Sequence, residues 1–125
     1  MRKYVVAIML TIAGPAAAQD PINVRLCEAA VLQVIKTPAT YRRADVERYE
    51  EDVTLIFDAQ NVFGALVRSR AQCSLLPLMT GDNGIPQIGG LTIDGRPVQT
   101  VYLARVVEPA ARRIVAGAVS ETTGR

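Results

Sequence analysis

Cys27 and Cys73 are the only cysteines in the chain, and each falls on the apolar face of a segment with a different period. Asn23 reads as the N-cap of a helix in which Val24, Cys27, Val31, Val34 and Ile35 recur at helical spacing as far as Lys36, where Thr37-Pro38 forces extended backbone. From Val53 the period is two: Val53, Leu55, Phe57 and Ala59 alternate with Thr54, Ile56, Asp58 and Gln60. Asn61 to Gly64 then supply turn chemistry, and a second strand over Ala65 to Leu76 puts Val67, Ala71, Cys73 and Leu75 on one side. Both sulfurs therefore point inward, one from a helix and one from a sheet. Any fold of this chain has to bring those two faces together.

The redox state of the pair depends on where the chain goes. Arg2 and Lys3, an apolar run from Tyr4 to about Gly14, and small residues at Ala16 and Ala18 before Gln19 are the pattern of a secretory signal cleaved after Ala18. The run is too short for a membrane anchor, which needs about 20 apolar residues. Residues 19–125 are then expected to form one small exported domain, periplasmic or secreted, with no membrane anchor after cleavage. In such a compartment the default state of Cys27 and Cys73 is a disulfide. A metal-bound pair is the competing reading; the chain has no His and no CxxC spacing, so neither a metal nor another cofactor is expected.

Cleavage also removes Arg2 and Lys3 from the 14 basic residues and leaves twelve to face the 12 acidic ones. The formal charge of +2 falls to zero, without the positive field that nucleic-acid binding needs.

Residues 38–51 are polar and charged and read as a solvated connection. Pro77 to Gly90 reads as a long loop; its Thr80–Gly90 stretch is rich in Gly, Asp and Asn and lacks the Lys followed by Ser/Thr of a phosphate loop. Leu91 to Ile93 reads as a short strand leading into an Asp94-Gly95-Arg96-Pro97 turn. Residues 98–119 fit a helix with Arg105, Glu108, Arg112 and Arg113 on its polar stripe and Pro109 as a kink or restart. The alternative is a strand over Val98 to Val107 followed by a helix. The fold class expected is α+β: an N-terminal helix disulfide-linked to a small antiparallel sheet, with a C-terminal helix.

The segment Asp58-Ala59-Gln60-Asn61-Val62-Phe63-Gly64-Ala65, with Arg68 and Cys73 after it, resembles a family of small exported bacterial domains with a DAQN-x-FGA-x-x-R-x-x-x-x-C core. Lys36-Thr37-Pro38-Ala39-Thr40 matches the K-[TS]-P-x-T segment that precedes this core, and the resemblance spans about residues 27–75. It implies kinship and no particular activity. In physical terms Asp58, Gln60 and Asn61 suit turn amides, Phe63 suits a plug at the core edge, and Arg68 suits a pair with Asp58 across the hairpin. The functional alternative is a polar recognition patch of Asp58, Gln60, Asn61, Arg68 and Arg70.

Without His and with the cysteines oxidised, Ser-His, Cys-His and His-metal chemistries lack a base or a nucleophile. The leading expectation is a non-catalytic protein-binding or structural module whose partner is another envelope protein; the alternative is a small-ligand carrier. An apolar pocket lined by Phe57, Phe63 and Tyr102 favours the carrier. A flat exposed face around Arg68 and Arg70 favours the protein partner.

Overall fold

A computed structural model describes residues 20–76 and 84–123. The amino-terminal segment 1–18 and the loop residues Thr80 to Asn83 lie outside them. The described residues share one hydrophobic core in an α+β arrangement.

Helix α1 (Ile22–Val34) begins two residues earlier than Asn23 suggested. Pro21 is its N-cap, and the Pro21 carbonyl accepts the Arg25 N–H at 3.1 Å. Proline suits a helix start because its missing N–H has no intrahelical partner there and its φ of −60° needs no adjustment. Asn23 instead lies in the first turn, buried. Val24, Leu26, Cys27, Ala30 and Val31 are buried on the inner side, while Val34 and Ile35 pack partly against the core.

The sheet is an antiparallel meander of β1 (Arg42–Tyr49), β2 (Asp52–Gln60), β3 (Leu66–Leu76), β4 (Gln87–Ile93) and β5 (Arg96–Pro97), adjacent in chain order. Its inner face carries Val53, Leu55, Phe57, Ala59, Ala71, Cys73, Leu75, Ile88 and Leu91. The alternation predicted for β2 and β3 thus holds except at Val67, which is 41% exposed because that end of the hairpin runs past the buried core. Cys27 and Cys73 form the disulfide, with Cα atoms 5.9 Å apart and both side chains buried. It joins α1 to the central strand.

Two segments read as loops are strands. Residues 42–49, expected as a solvated connection, are edge strand β1, with Pro38–Thr40 forming a short 3-10 turn before it. The strand has no apolar period because its inner positions are Arg43, half-buried Val46 and Arg48, and the register shifts between Arg43 and Asp45. Backbone pairing to β2 stabilises it, and its charges and bulge oppose edge-to-edge association. The Asp45 carboxylate even occupies the Val46 N–H at 2.8 Å. Likewise, Gln87 to Gly90, expected within the long loop, begin β4. Gly89 sits at a register shift beneath Leu76, where a Cβ would lie only 3.0 Å from Leu76 Cγ. Asp94 (φ +54°) and Gly95 (φ +79°) make the two-residue turn from β4 to β5.

The carboxy-terminal region is helical throughout: α2 (Thr100–Tyr102), a wide π turn at Leu103–Val107, and α3 (Glu108–Thr123). Leu103, Val107, Ala111 and Val115, four residues apart, are all buried, which decides for helix over a strand at Val98 to Val107. In the π turn the Glu108 N–H reaches back to the Leu103 carbonyl, and Pro109, which has no N–H to give, follows directly. Helix α3 packs beside α1. Arg112 ties α3 to the start of β4 through the Pro86 carbonyl at 2.8 Å. No helix among the described residues is long and apolar enough to cross a membrane.

Candidate interaction surface

With both helices on the inner face, the other face of the sheet is left open. The side chains of paired residues share a face, so the register defines rows across it. Arg42, Asp58 and Arg68 form one row, Asp45, Ile56 and Arg70 the next, and Glu47, Thr54, Gln72 and Thr92 a third. The candidate residues gather at the end of this face where β2 turns into β3.

Asn61 builds that turn. Its Oδ1 accepts the N–H groups of Phe63 (2.9 Å) and Ala65 (3.1 Å), its carbonyl accepts the Gly64 N–H (3.0 Å), and its own N–H donates to the Ala65 carbonyl (2.9 Å). Gly64 takes φ +82°, the left-handed position that closes a three-residue hairpin loop. Gln60 contributes through its backbone: its N–H donates to Thr40 Oγ1 at 2.9 Å and its carbonyl accepts from Thr37 Oγ1 at 2.6 Å. The Thr37-Pro38-Ala39-Thr40 segment is therefore a clamp on the base of this hairpin. Two threonines around a proline mark a segment whose short hydroxyl side chains reach backbone groups, but the fold alone sets that the partner is Gln60.

Asp58 and Arg68 are opposite each other and make the expected pair, with Nε to Oδ1 at 2.8 Å and a second guanidinium nitrogen to Oδ2 at 2.9 Å. These hydrogen bonds hold the Asp58 carboxyl below the ordinary aspartate range and raise the Arg68 guanidinium further. Arg70 is exposed, and its backbone N–H is held by Asp94 Oδ1 at 3.0 Å. Its guanidinium has no hydrogen-bond or ion-pair partner among the described residues.

Phe63 departs from expectation. It does not plug the core edge but stands 89% exposed at the hairpin tip, beside Val62 at 67% and Leu66 at 63%. The reason is geometric: the middle of a three-residue loop projects beyond both strands, so neither Val62 nor Phe63 can reach the core. The apolar tip and the Arg68–Arg70 strand face together form an exposed surface on a hydrogen-bonded frame.

Behind the hairpin a second cluster fixes β1 to α1. Tyr41 donates to Glu28, Arg43 bonds Glu28 (2.8 and 3.0 Å) and Asp20 (2.6 Å), and the Tyr41 ring stacks on Phe57 at 5.2 Å. Burial and the Glu28 carboxylate push the Tyr41 hydroxyl above its ordinary value of 10.0. The Arg43 hydrogen bonds hold Asp20 below the aspartate range.

Phe57 is buried, Phe63 is at the tip and Tyr102 lies half-exposed on α2, so these three line no common pocket. A shallow depression of about 530 Å³ does lie elsewhere, against Tyr49, Asp52, Thr54, Gln72 and Ser74. Among the described residues no group of three or more His, Cys, Asp and Glu side chains is placed to hold a metal ion. Comparison with protein-family models, with curated proteins and with solved structures gives no match.

Proposed function

We propose that the protein is a non-catalytic protein-binding module of the bacterial cell envelope, exported by its amino-terminal segment, with the β2–β3 hairpin as its docking element. The observation that carries this reading is Phe63, 89% exposed on a turn in which Asn61 accepts or donates four hydrogen bonds. A large apolar side chain left in water forgoes about 2–3 kcal/mol of burial, which a partner with a fitting recess recovers. Because the turn is already ordered, little conformational entropy is lost on docking. Arg68 and Arg70 add the guanidinium groups that are common at the centres of protein interfaces. The partner surface that fits is an apolar recess flanked by carboxylates. Chain inventory supports the non-catalytic part: there is no His, and both thiols are consumed in the disulfide.

Site-specific photo-crosslinking in the native cell tests the proposal, with a probe at Phe63, another at Arg70 and a control at Arg113 on α3. One protein adduct shared by the first two probes and absent from the control is the expected result. Equal labelling from all three positions, or none from the hairpin in correctly exported protein, refutes it.

A further inference from the structure

We infer that the open sheet face holds a second binding site, away from the hairpin, for a neutral oligosaccharide. This goes beyond the protein-docking reading and does not rest on it. The depression of about 530 Å³ runs across the sheet from Tyr49 on β1 to Pro97 on β5. That volume is within the usual range of about 300–1,000 Å³ for small-molecule sites. Residues of five adjacent strands, spaced about 4.8 Å apart, line it, a span that admits several linked sugar rings.

The lining selects the ligand class. Thr54, Gln72, Ser74 and Thr92 bring hydroxyls and an amide into the trough beside the apolar Val53, Leu91, Val98 and Leu103, Asp52 is the one charged side chain among its lining residues, and no Lys or Arg takes part. An anionic ligand finds no counter-charge there, and a single carboxylate is too little for a multivalent cation. An apolar ligand would strip water from hydroxyl and amide groups without replacing their hydrogen bonds. A polyhydroxylated ligand satisfies them, because each sugar hydroxyl both donates and accepts, as do the threonine and serine hydroxyls. Thr92 Oγ1 donates to Gln72 Oε1 at 3.4 Å, which leaves the Gln72 amide nitrogen without a partner among the described residues and able to donate to the ligand.

Two features shape the site for a ring. Tyr49, 75% exposed at the β1 end, offers a flat aromatic surface against which the C–H face of a sugar packs. Gly90 pairs with Ser74, so a side chain at position 90 would rise from the floor beside it. A Cβ there would meet Ser74 Cβ at 4.0 Å and fill space that is now open. Gly90 takes no positive φ, so the strand tolerates a larger residue and the absence of a side chain there keeps the trough clear.

The test is a nitrogen-15 NMR titration of the disulfide-bonded protein with tetra-N-acetylchitotetraose, cellotetraose and maltotetraose in turn. At least one is expected to give saturable shifts centred on Thr54, Gln72, Ser74 and Thr92, with a dissociation constant of about 1 mM or tighter. Tyr49→Ala and Gly90→Val each weaken that binding about tenfold or more, whereas Phe63→Ser binds like the parent. If Gly90→Val does not fold, Tyr49→Ala alone carries the comparison. Failure of all three sugars to saturate, shifts centred elsewhere, or binding of a neutral Ser/Thr-rich peptide in their place overturns the assignment.

Discussion

The disulfide is expected to supply a large share of the stability of this domain, and its contribution can be worked from the structure. It closes a loop with a sequence separation of 46, for which the chain-entropy relation gives about 4 kcal/mol at 25 °C. A domain of this size has a total stability of roughly 5–10 kcal/mol. Both sulfurs are buried, Cys27 completely and Cys73 to within 1%, so substitution also removes packing. Reduced wild-type protein isolates the cross-link, and Cys27→Ala/Cys73→Ala adds the packing loss of about 1–2 kcal/mol. Urea denaturation of the oxidised, reduced and doubly substituted forms separates the two. With a slope of about 1.5 kcal/mol/M, reduction is expected to lower the midpoint by about 2–3 M, and the double variant is expected to fall further or to be unfolded without urea. A midpoint shift of less than about 0.7 M on full reduction, under 1 kcal/mol at that slope, would refute the claim that this bond ties the helix to the sheet energetically.

The hairpin, Tyr41 and the proposed export each give a further prediction. Asn61→Ala, which removes the acceptor of two turn amides, and Gly64→Ala, which forces φ +82° on a residue with a Cβ, each cost about 1 kcal/mol in thermal or urea unfolding. Both are expected to weaken crosslinking from Phe63. The Tyr41 hydroxyl is raised in the folded state above 10.0. Its contribution is therefore fully present below pH 10 and is lost as pH rises toward the folded value. Wild-type urea midpoints should accordingly fall more steeply above pH 10 than those of Tyr41→Phe. Intact-mass measurement of protein recovered from outside the cytoplasm should show a chain that begins at Gln19, lighter by the hydrogens of both thiols.

How far the fold could be read in advance depended on whether burial left a period. Strands β2 and β3 bury alternate residues, and α1 buries a stripe, so Val53 to Ala59, Ala71 to Leu75 and Val24 to Val31 declared themselves. Strand β1 buries nothing fully; it is held by hydrogen bonds to β2 and by Arg43, and neither leaves a hydrophobic trace. Strand β4 was obscured by Gly89 and Gly90, which usually mark loops but here admit Leu76 and open the sheet face. The Asp58–Arg68 pair and the Asn61 turn were legible because they are local to one hairpin. The clamp from Thr37 and Thr40 on Gln60 was not, since it joins segments 20 and 23 residues apart. The aromatic type of Phe63 points to the core, but the length of its loop puts it in solvent.

Once the hairpin adduct has been identified by mass spectrometry, the decisive measurement is the affinity of the purified partner for wild-type protein and for Phe63→Ala. The substitution lies on an exposed tip and should leave the melting temperature unchanged while weakening binding by about ten- to a hundredfold, the range of an aromatic anchor. Equal affinities at equal stability would contradict the assignment of the β2–β3 hairpin as the docking element.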